Sequence, residues 1–150
     1  MDIKQIVIEL IRKYETRCPF EIAKALGIHI LYEDLGTING YYNKTYRIKF
    51  IHINQNLDES AMIRTCSHEL GHAVLHQDMN TNFLKMNTFF STDKIEIEAN
   101  KFMAELLIAD DLIADNPYLT KQQIACLAGY DDKIIDFKQI DNSNGRFFRG

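Results

Sequence analysis

A chain of 150 residues, 46% hydrophobic and 25% charged, has the composition of one ordinary globular domain long enough to bury a core. Its 17 basic and 21 acidic residues leave a formal charge of −4, which argues against a nucleic-acid binder that relies on a basic surface. The start Met1-Asp2-Ile3-Lys4 has no signal-peptide pattern, and no stretch nears the ~20 apolar residues that span a bilayer; the expected location is the cytoplasm, with no membrane partner.

Ile3, Ile6, Val7, Leu10, Ile11 and Tyr14 recur at three- and four-residue steps and predict an amphipathic helix over roughly 2 to 15, capped by Asp2. Pro19 suits the first turn of a second helix running to Ala25 or Leu26, and Gly27 suits its stop. Phe20 to Ile28 has the look of a helix-turn-helix opening, but the next residues are strand-like, so no recognition helix is expected. Ile28 to Tyr32, Ile38 to Tyr42 and Tyr46 to Ile53 read as three strands, the last two joined by a turn at Asn43-Lys44. A small antiparallel sheet packed on helices is the expectation.

Asp58 or Ser60 caps a helix expected to run to about Gln77. Asp78 to Asp93 lacks helical rhythm and reads as a long loop, a kind of segment that is often functional. From Lys94, the residues Ile95, Ala99, Phe102, Met103, Leu106 and Leu107 repeat with helical spacing to about Ala109. Pro117 breaks the chain, and Thr120-Lys121-Gln122-Gln123 is a capping-box start for a helix ending at Gly129. A last short helix is expected between Asp131 or Asp132 and Ile140, with 141–150 a frayed tail; residues 1–150 read as a single domain. The cysteines, Cys18, Cys66 and Cys126, are odd in number and far apart, which predicts reduced, mostly buried thiols and no thiolate zinc site.

The chemistry concentrates in His68-Glu69-Leu70-Gly71-His72. On a helix, residues four apart share a face, so both imidazoles can reach one metal ion. Glu69, beside the first histidine, can take a proton from a water at the open coordination position. Gly71 inside the helix costs about 1 kcal/mol relative to Ala, which suggests a packing reason or a close approach.

A catalytic zinc needs a third protein ligand. His76 follows His72 by four residues, but His68 and His76 are about 12 Å apart along a straight helix, too far to share an ion. His76 is expected to be structural or to support the ligands. The next helix offers Glu96, Glu98 and Glu105. Glu98 lies at the edge of the apolar face that should meet the motif helix and is the expected third ligand. Glu96, about 200° away around that helix, should point to solvent, and Glu105 lies about two turns further on.

His68 to His76, together with the later Glu96-Ile97-Glu98-Ala99-Asn100-Lys101-Phe102-Met103-Ala104-Glu105-Leu106-Leu107, resembles the ImmA/IrrE family of metallo-endopeptidases. Ile22 to Ile28 and the strand end Ile51-His52-Ile53-Asn54 share the likeness, which covers most of residues 18 to 108. The sequence departs from the family pattern at Ile108-Ala109, where Met-Pro often comes after the Leu-Leu pair. The resemblance implies an α+β, zincin-like fold, Zn2+ as cofactor, His68, His72 and Glu98 as ligands, Glu69 as catalytic base, and peptide-bond hydrolysis. Tyr41, Tyr42, Tyr46, His52 and Tyr118 are all candidates for stabilising the oxyanion.

Small members of this family are often carried by phages and integrative elements. The resemblance therefore implies a protein partner, a DNA-binding helix-turn-helix repressor that the chain cleaves or inactivates as an antirepressor. The rival expectation is a non-proteolytic antirepressor or antitoxin-like protein that sequesters its partner, with zinc structural.

Overall fold

The computed structural model describes residues 1–80, 93–131 and 133–140. Helix α1 (Ile3–Tyr14) begins as expected at Asp2, whose carboxylate accepts the Gln5 N–H. Helix α2 (Pro19–Ala25) leads through Gly27, at φ 76°, into strand β1 (His29–Glu33). Strands β2 (Gly40–Thr45) and β3 (Ile48–Asn54) come next. The motif helix α3 spans Glu59–Leu75, and α4 spans Asp93–Leu107. A short α5 (Asp110–Ala114), not foreseen from sequence, precedes α6 (Lys121–Ala128), which carries the expected Thr120–Gln123 capping box and ends at Gly129. The last expected helix is one 3-10 turn, Ile134–Phe137.

The sheet has the order β1-β3-β2 and is mixed, not antiparallel: β3 pairs antiparallel with β2 and parallel with β1. The most apolar strand takes the centre, with Ile51 and Ile53 fully buried, while the more polar β1 and β2 form the edges. The β2–β3 turn also differs from expectation. It lies at Tyr46 and Arg47, both with positive φ (51° and 68°), and Asn43-Lys44 stays in the strand. Asn43 spends its turn-forming amide elsewhere: its Oδ1 lies 2.6 Å from His52 Nε2 and its Nδ2 donates to Thr45 Oγ1.

Two buried apolar clusters flank α4. One joins Val7, Ile22, Tyr42, Ile51, Ile53 and Leu70 with Phe102 and Leu106. The other joins Ala104 and Ile108 with Ile113, Ile124, Ile134 and Ile135. Two glycines set the spacing around α3. A Cβ on Gly40 would meet the His52 carbonyl oxygen at 2.5 Å and Thr65 Cγ2 at 2.6 Å, so β2 lies directly on the helix. A Cβ on Gly71 would lie 3.1 Å from Phe102 Cβ and 3.3 Å from Ala99 Cα, which is the close approach its helix cost implied.

The far end of α4 is tied down by charge. Lys138 Nζ lies 2.7 Å from Glu105 Oε1 and 2.8 Å from Asp110 Oδ1, and Glu105 Oε2 accepts the Gln139 N–H. Both Lys138 and Glu105 are buried. Lys138→Ala leaves a buried carboxylate short of its counter-charge and is expected to cost about 3–5 kcal/mol. Urea unfolding with an unchanged m-value is the check. Of the cysteines, only Cys66 is buried; Cys18 is half-buried and Cys126 exposed, and all three are free thiols, so the expectation of mostly buried cysteines holds for Cys66 alone.

Candidate metal centre

Helix α3 is capped by Asp58, which accepts the Ala61 N–H, and is regular through the motif. His68 and His72 therefore project from one face, with ring centroids 4.9 Å apart. The carboxylate that meets them is Glu96, not Glu98. Glu96 Oε2 lies 2.8 Å from His68 Nε2, and Oε1 lies 3.0 Å from His72 Nε2. His68, His72 and Glu96 offer three ligand atoms within 4.8 Å of one another.

This corrects the expectation that Glu96 points to solvent and Glu98 meets the histidines. That expectation puts the most apolar face of α4 against α3. The observed contact line runs through Glu96, Ala99, Asn100 and Phe102 opposite His68 and Gly71, so polar residues share it with one large apolar side chain. Glu98, rotated off that line, reaches the end of α3, where its Oε1 lies 3.2 Å from His76 Nε2. A sequence signal for this arrangement does exist. Glycine on one helix facing alanine on the next marks the closest approach, and Glu96 and Asn100, four apart, bracket Ala99 on that side.

The arrangement fits a metal ion. His68 Nδ1 lies 2.8 Å from Asn100 Oδ1, an acceptor only, so it carries the proton and leaves the Nε2 lone pair facing Glu96. His72 Nδ1 lies 3.0 Å from His76 Nδ1, and His76 Nε2 faces Glu98. In that relay His72 donates to His76 and His76 donates to Glu98, which again leaves Nε2 of His72 as the free lone pair. That nitrogen is fully buried and, despite the nearby carboxylate, makes no aligned hydrogen bond among the described residues. The separations of 2.8 and 3.0 Å approach the donor–donor edge of about 3.3 Å expected for tetrahedral bonds of ~2.05 Å.

Burial alone would raise the Glu96 carboxyl, but where Nε2 of His68 and His72 carries a proton its donation outweighs burial and holds the carboxyl far below the ordinary range; a metal ion in place of those protons would do the same. Burial also pushes His76 below its ordinary value, against the pull of Glu98, keeping it neutral as the relay requires. Burial pushes the Cys66 thiol up, so it stays a neutral core group. Glu69 is 1% exposed. With His68 it lines a cleft of about 280 Å³.

None of the five oxyanion candidates lines that cleft. Tyr42 is buried and donates to the Gln77 carbonyl, and Tyr46 and Tyr118 are almost fully exposed. His52 sits between Glu33 and Asn43 on the sheet, stacked on Tyr41. Most of the expected 78–93 loop, and the 141–150 tail, lie outside the described residues. Among the described residues no helix is long and apolar enough to cross a membrane.

Comparison with known proteins gives the family. Residues 23–128 match the Peptidase_M78 family model, the IrrE N-terminal-like domain. The chain is 40% identical over 141 residues to immunity region protein 2 of Bacillus phage phi105, covering 92% of this chain and 89% of that protein. It is 32% identical over 154 residues to metallopeptidase ImmA of Bacillus subtilis (strain 168), covering 97% and 90%. A two-helix group of two histidines and a carboxylate, on a chain matched along almost its whole length, makes this protein a member of the IrrE-like Peptidase M78 family of metallopeptidases.

Proposed function

We propose that the chain is a zinc-dependent endopeptidase that inactivates a helix-turn-helix repressor of a phage or integrative element. The observation that carries the reading is the convergence of His68, His72 and Glu96 beside a buried Glu69 that lines a cleft. Two imidazoles and one carboxylate suit zinc, and three ligands leave a position open for water or substrate. The likeness to a phage immunity region protein supports the repressor as target.

When bound, zinc supplies a Lewis acid that brings the pKa of water near ~7 and polarises the scissile carbonyl. The chain's own residues do the rest. His68 and His72 present Nε2, held in that tautomer by Asn100 and by the His76–Glu98 pair. Glu96 balances charge, and Glu69, immobilised by burial, accepts the proton of the attacking water and delivers it to the leaving amine.

The test is to incubate the purified, zinc-loaded protein with the repressor encoded beside its own gene. The expected result is a cut repressor released from its operator, with cutting stopped by a zinc chelator and restored by added zinc. A repressor that stays intact and operator-bound would overturn the proposal.

A further inference from the structure

From Glu69 and His68 the cleft extends along α3 toward its N-terminus, between that helix, the start of β2 at Gly40, and Met103 of α4. Arg64 lines it, one turn before His68 and on the same face of α3. Its Nε is buried and has no hydrogen-bond partner among the described residues. The carboxylate it faces, Asp131, is more than half exposed and lies 3.6 Å from Nη1, beyond hydrogen-bond reach. Among the described residues, Glu69 is the one acid that lines the cleft. The Arg64 side chain as a whole is 38% exposed, so its terminal nitrogens can meet a carboxylate in the cleft, with the unused Nε–H beside them to make the second of two parallel bonds.

We propose that Arg64 makes this cleft a specificity pocket for an acidic side chain, Asp or Glu, on the substrate residue flanking the scissile bond. The inference rests on the metallopeptidase reading for its place in catalysis, but not for the binding itself. Arg64 and His68 are about 6 Å apart along the helix axis, within the combined reach of a glutamate side chain and a hydrogen bond. Thr65 and Asn39, which also line the cleft, offer neutral polar groups.

The Nε–H resonance of Arg64, assigned by its loss in Arg64→Lys, provides the test. The wild-type protein is titrated with acetyl-Ala-Glu-Ala-amide and, separately, with acetyl-Ala-Gln-Ala-amide. A saturable shift is expected with the glutamate peptide, with affinity about tenfold lower for the glutamine peptide. In parallel, the zinc-loaded protein is given a mixed-sequence peptide library. Cut sites should be enriched in Asp and Glu at one flanking position, and Arg64→Glu should turn the preference toward Lys and Arg. Equal response of Arg64 to both peptides, or none to either, overturns the proposal, as does cleavage without acid preference. An uncut library with Arg64 still discriminating sinks the endopeptidase reading and leaves the pocket standing.

Discussion

Glu96→Gln should lose zinc affinity by on the order of a hundredfold or more, because in the proposed site it removes the one charged ligand and weakens the compensation of the metal's positive charge. Glu98→Gln should cost less, about 10–100-fold, because Glu98 acts only through His76 on the orientation of His72. Competition against a chromophoric chelator measures both, and apo-protein stability should change little at either partly exposed position. His76→Ala should match Glu98→Gln, and the double variant should add nothing further if the two residues work as one relay. The reverse ranking, with Glu98→Gln abolishing binding and Glu96→Gln retaining it, would mean that α4 turns about its axis when metal enters.

The contrast between these two glutamates marks the limit of what is legible in the sequence. The helices are legible because their caps and periods are local: Asp2, Pro19, Asp58 and the Thr120 capping box each act within one turn. The paired histidines are legible for the same reason, since their separation is fixed by the pitch of one helix. The third ligand depends on how α4 is rotated against α3. That rotation is set by Gly71 against Ala99 and Phe102, a contact between helices that no single-helix period contains. Averaging the apolar residues of α4 into one stripe assigns its face to the core as a whole. In the structure, different parts of that stripe meet two clusters on opposite flanks. The β2–β3 turn shows the same limit. Asn43-Lys44 has better turn chemistry than Tyr46-Arg47, but a cross-strand partner for Asn43, His52, keeps it in the strand. Arg64, too, is an unremarkable helix residue until β2 and α4 enclose it.

Glu69→Gln separates catalysis from sequestration. The amide is nearly isosteric and should keep the α3 packing, the zinc group and partner binding, but it cannot accept a proton at neutral pH. Loss of a general base typically costs 10²–10⁴-fold in rate, so repressor cleavage should fall by about 10³-fold with zinc content unchanged. The position of Glu69 next to the first histidine makes the prediction sharp, because a purely structural zinc site has no use for a base beside its ligands. A protein that worked by sequestration would relieve repression equally well with glutamine at 69, and stoichiometrically. A peptidase would lose that relief while still binding the repressor, and the wild type would act at substoichiometric amounts. Operator release measured against protein-to-repressor ratio, for wild type and Glu69→Gln side by side, distinguishes the two by the turnover number as well as by the mutant.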